Sequence, residues 1–202
     1  MTSVAEPTGD RAAVRTIVGG GLRLGVVTAV GVAAFSLITG VVTGTVETVV
    51  QSALVLLGAI VFSYAPTWWV RPGNVDGIAW AALVGLLGAL TFTVIDTAVL
   101  RPLGVYHWTW DQVGGGSGFW YIPVWWMGSA LLAWLGAWVY AVVSRKGTGV
   151  LAVAGQTLGV AGILLAVLLV TRLAPAHGAV AALAWTLALI LHVPVAYGLA
   201  KR

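Results

Sequence analysis

Residues 147–171 read GTGVLAVAGQTLGVAGILLAVLLVT and contain no charged side chain. At a rise of about 1.5 Å per residue, a helix of this length crosses the roughly 30 Å hydrocarbon core of a bilayer. A helix also satisfies its own backbone hydrogen bonds, which hydrocarbon cannot do for exposed backbone. Residues 163–170 are apolar on every side, unlike the alternating pattern of a barrel strand. The stretch therefore predicts a transmembrane α-helix.

The same pattern recurs along the whole chain of 202 residues, of which 60% are hydrophobic and 8% are charged. Soluble domains carry about 25% charged residues, so lipid rather than water must cover this surface. Six blocks lack Asp, Glu, Lys and Arg, namely 24–46, 48–70, 77–95, 112–144, 147–171 and 173–200. We therefore predict an all-α fold, a polytopic membrane bundle of six transmembrane helices. The predicted spans are 22–43, 48–69, 77–99, 120–143, 149–171 and 178–199.

The first 21 residues are polar and then rich in glycine. They lack the compact apolar region and the small-residue cleavage site of a signal peptide, so we expect the segment to be retained. We predict that 1–21 is a cytoplasmic N-terminal segment and that 22–200 forms one membrane domain. An interfacial helix over 11–21, with Arg11 and Arg15 on its polar face, is an alternative for part of this segment.

The basic residues are distributed unequally between the ends of the predicted spans. Cytoplasmic loops of membrane proteins are enriched in Lys and Arg. If the N-terminus is inside, the cytoplasmic segments hold Arg11, Arg15, Arg23, Arg71, Arg145, Lys146, Lys201 and Arg202. The opposite side then holds only Arg101 and Arg172. This asymmetry predicts that both termini are cytoplasmic, in a multi-pass protein of the cell (plasma) membrane.

The composition excludes several classes of function. Without cysteine there is no disulfide, thiolate nucleophile or thiolate metal site. The net charge of +4 is scattered between apolar runs, so the basic stripe of a nucleic-acid-binding protein is missing. The three histidines have no recurrent metal-ligand spacing, and we predict no metal and no cofactor. His192, two residues before Pro194, is interpreted as a hydrogen-bonding residue of the helix core.

Three pairs of glycines have the spacing that lets membrane helices approach closely. They are Gly21 and Gly25, Gly40 and Gly44, and Gly155 and Gly159. Lipid gives helices no hydrophobic reason to associate, so close backbone packing is an important source of stability. We predict that all three pairs pack helices within one chain, and the alternative is a contact between two chains of a dimer.

Two acidic residues are candidates for catalysis. Asp96 is close to the end of the third predicted span, and an acid at this depth faces either a partner or a cavity. It is interpreted either as an ion pair with Arg101 or Arg172, or as a proton donor. Glu47 and Gln51 are four residues apart and are expected on one helix face. If Glu47 and Asp96 were neighbours, the two carboxyls could hold different pKa values, as acid catalysis requires.

Residues 101–126, RPLGVYHWTWDQVGGGSGFWYIPVWW, form the most unusual stretch. We predict an outer, aromatic, Gly-rich loop over 101–119. It is interpreted either as an aromatic belt at the membrane surface or as a lid over a site. Aromatic walls with a few polar groups suit apolar or flat ligands, and their ring faces suit cations. The candidate ligand-binding residues are Tyr106, His107, Trp108, Trp110, Asp111, Trp120, Trp125 and Trp126.

An acid at a helix end is followed by Gly-x-Tyr-x-Trp-x-Trp and then by Pro-Val-Trp-Trp at a helix start, within 96–126. This pattern resembles small membrane enzymes that hydrate or cyclise isoprenoids such as carotenoids. The resemblance implies an enzyme that acts on an isoprenoid. For such acid catalysis the candidate proton donors are Asp96 and Glu47, and the Trp cluster would stabilise cationic character. In size and architecture the chain is also similar to the vitamin-binding subunits of energy-coupling transporters, which implies a solute-binding role beside other chains.

Three functions follow as hypotheses. The first is binding of an apolar or aromatic small molecule, a lipid, or a partner membrane subunit at the outer aromatic site. The second is an intramembrane enzyme that acts on a lipid or isoprenoid by acid catalysis. The third is a solute-binding subunit of a multi-chain transporter. The sequence leaves open whether the protein is an enzyme.

Overall fold

A computed structural model describes residues 8–39, 41–105, 121–144, 147–171 and 178–200. Its helices are α1 (Thr8–Thr39), α2 (Thr45–Val70), α3 (Val75–Ile95), α4 (Tyr121–Val143), α5 (Val150–Val170) and α6 (Gly178–Ala200). A π-helical turn, Asp96–Leu100, continues α3. The described ranges contain no β-strand, so the predicted all-α fold is confirmed.

Within the described ranges, five stretches are long and apolar enough to cross a membrane. They are Ala13–Ile38, Thr45–Val70, Val75–Leu100, Val124–Val143 and Val150–Val170. The sixth helix, α6, has 23 residues, and its described apolar part is Val180–Val195. A helix of that length extends about 34 Å, which exceeds a hydrocarbon core of about 30 Å. The chain is therefore a polytopic membrane helix bundle.

The first helix is longer than predicted and starts earlier. It runs unbroken from Thr8 to Thr39, so the predicted span 22–43 is wrong at both ends, and 11–21 is not a separate interfacial element. The glycines do not interrupt the helix because the bundle packs against them. A Cβ built at Gly20 would lie 3.0 Å from the Trp69 ring, and one at Gly21 would lie 2.5 Å from Leu87 Cβ. Tertiary packing here outweighs the low helix propensity of glycine.

The second helix organises the bundle. It packs against α1, α3, α4, α5 and α6, whereas α1 packs mainly on α3 and α5 packs mainly on α6. One side of the bundle is therefore built from α1 and α3, and the other from α5 and α6. The helices α2 and α4 join the two sides.

The predicted glycine pairs have different outcomes, and Gly40 lies outside the described residues, so its pairing with Gly44 stays a prediction. Gly21 and Gly25 lie against α3, where Cβ atoms would collide with Leu87 and Thr91, so packing within the chain is confirmed for this pair. Gly44 has a φ of 72° in the turn before α2, a conformation that favours glycine. Among the described residues nothing lies within 4 Å of a Cβ built at Gly155 or Gly159, so the prediction is wrong for that pair.

Ser63 joins α2, α4 and α6 at the centre of the bundle. The side chain is fully buried, and its hydroxyl accepts a hydrogen bond of 2.9 Å from Trp185 Nε1 on α6. The same hydroxyl donates to the carbonyl of Ala59 at 2.7 Å. Gly136 on α4 lies so close that a Cβ there would overlap the Ser63 carbonyl oxygen. Three helices therefore meet at one small polar residue.

The contact between α1 and α3 can be tested by adding one methyl group. We expect Gly21→Ala to destabilise the protein by about 1–3 kcal/mol, because an overpacked contact forces the backbones apart. The matched control is Gly31→Ala in the same helix, where nothing lies within 4 Å of a built Cβ. Thermal unfolding in mild detergent should show a lower Tm for Gly21→Ala and an unchanged or slightly higher one for Gly31→Ala. Equal Tm values for the two variants would contradict this packing.

Candidate functional site

The π-helical turn after α3 gives Asp96 its partner. The backbone N–H of Arg101 donates to the carbonyl of Asp96 at 3.0 Å, a hydrogen bond that spans five residues instead of four. In a regular α-helix, at about 100° per residue, residue 101 would point about 140° away from residue 96. The wider turn places the two side chains together. Such turns are frequent at functional sites.

Asp96 and Arg101 form an ion pair at this end of the bundle, which we call the Asp96 end. Arg101 Nε donates to Asp96 Oδ2 at 3.0 Å. The Asp96 side chain is 1% exposed and that of Arg101 is 45% exposed. Arg101 is one of the two partners that the sequence suggested, and the other, Arg172, lies outside the described residues. The pair therefore runs from a buried carboxyl to the surface.

Trp126 ties α4 to α3 beside this ion pair. Its Nε1 donates to Thr93 Oγ1 at 3.0 Å, and that hydroxyl in turn donates to the carbonyl of Ala89 at 2.9 Å. Thr93 is three residues before Asp96, hence about one helical turn away. The predicted ligand residue Trp126 thus uses its indole N–H to hold two helices together.

Trp125 lies in an aromatic cluster formed by three helices. Its ring centroid is 5.6 Å from that of Phe92 on α3 and 6.3 Å from that of Phe62 on α2, with tilted and edge-on geometry. The indole Nε1 is buried and has no hydrogen-bond acceptor among the described residues. A buried donor without an acceptor costs about 1–3 kcal/mol, so this N–H is the strongest indication of a missing partner.

The first helix closes the side of this cluster. Ser36 Oγ donates to the carbonyl of Val105 at 3.0 Å, which fastens the end of α1 to the segment after the π-helical turn. Ala29 on α1 and Leu100 are buried beside Phe92. We call Phe62, Phe92, Trp125, Trp126 and the Asp96–Arg101 pair the aromatic site.

Glu47 belongs to a different set of contacts. Gln51 Nε2 donates to Glu47 Oε1 at 3.0 Å, so the predicted shared helix face is confirmed. The described contacts place Glu47 with Gln51 and Asp96 with Arg101. The pairing of the two carboxyls stays a prediction.

Several predicted ligand residues lie outside the described residues. They are Tyr106, His107, Trp108, Trp110, Asp111 and Trp120. That these six residues lie at the aromatic site stays a prediction. Sequence reasoning missed Phe62 and Phe92, because single aromatic residues inside apolar runs give no signal of their own.

A second polar cluster lies within the bundle between α2, α5 and α6. Tyr64 Oη is 2.7 Å from Thr157 Oγ1, and Thr157 Oγ1 is 3.0 Å from His192 Nδ1. The interpretation of His192 as a hydrogen-bonding residue of the core is thus confirmed. No group of three or more His, Cys, Asp or Glu residues in the described ranges is placed to hold a metal ion.

Comparison with family models, with curated proteins and with solved structures found no match to this chain. By its fold and its contacts, the protein is a membrane helix bundle with an aromatic cluster and an ion pair near one end.

The ion pair predicts an asymmetric response to mutation. Arg101→Gln removes the cationic partner of the buried carboxyl. We expect the free energy of unfolding to fall by about 1–3 kcal/mol. The loss should be smaller than for a fully buried pair, because Arg101 is half exposed. The double variant Asp96→Asn/Arg101→Gln should recover part of that loss. Arg23→Gln, an exposed arginine in α1, is the matched control with the same change in charge. A double variant that is no more stable than Arg101→Gln in unfolding titrations would contradict the coupling between the two side chains.

Proposed function

We propose that the aromatic site binds an apolar or aromatic small molecule or a lipid within the membrane. The observation that carries the proposal is the buried Trp125 N–H, for which the described residues provide no acceptor. A ligand with an oxygen acceptor at this position would remove the cost of the unpaired donor. Phe62 and Phe92 supply apolar walls next to the same ring.

This arrangement favours a ligand with an apolar body and an oxygen acceptor. Sites for small molecules are mostly apolar and fix orientation through a few polar groups. Here the apolar body would contact the rings of Phe62, Phe92 and Trp125. A carbonyl, ether or hydroxyl oxygen would accept from Trp125 Nε1, and a polar head would face the half-exposed Arg101. An oxygenated isoprenoid or a lipid ester fits this description.

The enzyme hypothesis has weaker support. Among the described contacts Asp96 accepts from Arg101 and Glu47 accepts from Gln51, so the two acids have separate partners. The binding proposal therefore leads, and the transporter-subunit hypothesis has no observation in the described part of the chain that favours it.

A Trp125→Phe variant tests the proposal, because phenylalanine keeps an aromatic ring and removes the N–H. Native mass spectrometry of gently extracted protein should show an apolar adduct on the wild-type chain and several-fold less of it on Trp125→Phe. The matched control is Trp134→Phe on the exposed face of α4, which should keep the adduct. The absence of any adduct, or equal adducts on all three proteins, would refute the proposal.

We also propose that both termini face the cytoplasm in the plasma membrane, with the Asp96 end outside. The support is the position of eight of the ten Lys and Arg residues at one end of the predicted spans.

This orientation is tested with reporters fused after Arg202. A green fluorescent protein should fluoresce there, because it folds in the cytoplasm, and a secreted phosphatase should stay inactive. The control is the same pair of reporters inserted after Gly104, beyond the π-helical turn, where we expect the opposite result. Phosphatase activity after Arg202 would reverse the proposed orientation.

A further inference from the structure

The polar cluster of Tyr64, Thr157 and His192 lies well inside the membrane region. Tyr64 is six residues before the end of α2, Thr157 is seven residues after the start of α5, and His192 is eight residues before the end of α6. At about 1.5 Å per residue, all three are roughly 10 Å from the same end of the bundle. The cluster joins α2 to α5 and α6, and Tyr64 lies two residues after Phe62 of the aromatic site, about 200° further round α2 and so on the opposite face of that helix.

Counting protons assigns the donor at each contact in this cluster. Thr157 Oγ1 has three partners, which are Tyr64 Oη at 2.7 Å, His192 Nδ1 at 3.0 Å and the Val153 carbonyl at 3.1 Å. A hydroxyl donates once and accepts twice, and a carbonyl only accepts. All three contacts can be hydrogen bonds at once in only one arrangement. In it Thr157 donates to the Val153 carbonyl, and both Tyr64 and His192 donate to Thr157.

This assignment requires one tautomer of His192. In that tautomer the neutral ring carries its proton on Nδ1, so Nε2 keeps a lone pair and accepts hydrogen bonds. His192 is only partly buried, and Nε2 is neither enclosed nor hydrogen-bonded within the described residues. Beside it on α6, Leu191 and Val195 are exposed apolar side chains. An open acceptor therefore stands among apolar groups at a depth where water is scarce.

We propose that His192 is a binding site for a hydroxyl-bearing apolar molecule dissolved in the membrane, of the phenol or hydroquinone class. The hydroxyl donates to Nε2, and the apolar body lies along Leu191 and Val195. A bare metal ion fits less well, because the described residues offer no group of three ligands. This site does not depend on the aromatic site or on the function proposed for it.

Nitrogen-15 NMR of histidine-labelled protein in lipid nanodiscs tests both steps. The His192 signals are assigned by their loss in His192→Gln. The free protein should show the Nδ1–H tautomer of His192. A para-hydroquinone with a short isoprenoid tail should shift the Nε2 signal, and its dimethyl ether, which has the same ring and tail but no donor, should not. An Nε2–H tautomer in the free protein, or equal shifts with both probes, overturns the proposal.

Variants of Thr157 test whether hydroquinone binding depends on the tautomer of His192 or only on the presence of its imidazole ring. Thr157→Val removes the acceptor that fixes the tautomer but keeps His192, and it should weaken hydroquinone binding roughly tenfold, as expected for one lost hydrogen bond. The matched control is Thr186→Val on α6, whose hydroxyl donates to the Ala182 carbonyl within its own helix. Thr186→Val should bind hydroquinone as the wild type does. Unchanged affinity in folded Thr157→Val contradicts the assigned role of Thr157.

Discussion

The approach of α4 to α2 at Ser63 sets the geometry of the whole bundle. Gly136 allows the two backbones to touch there, and the Ser63 hydroxyl accepts the indole N–H of Trp185 on α6. In lipid, helices gain nothing from removing apolar surface from water, so tight packing and interhelical hydrogen bonds hold them together. Because three helices meet at this point, the contact fixes how α2, α4 and α6 are placed relative to one another.

Both polar regions of the protein depend on this central packing. The aromatic site needs α2 and α4 close enough for Phe62 to reach Trp125, and the Trp126–Thr93 hydrogen bond then aligns α3. The cluster around Thr157 needs α5 and α6 on the opposite side of α2. One packed centre thus supports two separate groups of side chains, which lie on opposite faces of α2.

The candidate site was only partly predictable. The cost of an acid in a membrane singles out Asp96, and Trp125 and Trp126 belong to a conspicuous aromatic string. The partner of Asp96 follows from the π-helical turn, because five-residue spacing in a regular helix would separate Asp96 from Arg101. Asp96 and Glu47 lie on different helices. Residue spacing within one helix therefore cannot predict whether the two carboxyls are close together.

The sequence by itself determined that the chain spans a membrane and where five of its helices lie, because uncharged stretches of sufficient length must be helical in hydrocarbon. Only the tertiary structure decided where α1 begins, which glycines meet another helix, and that His192 Nδ1 contacts Thr157. The physical reason is that burial in lipid acts on each segment separately. Helix contacts and proton positions depend instead on residues that are distant in the chain.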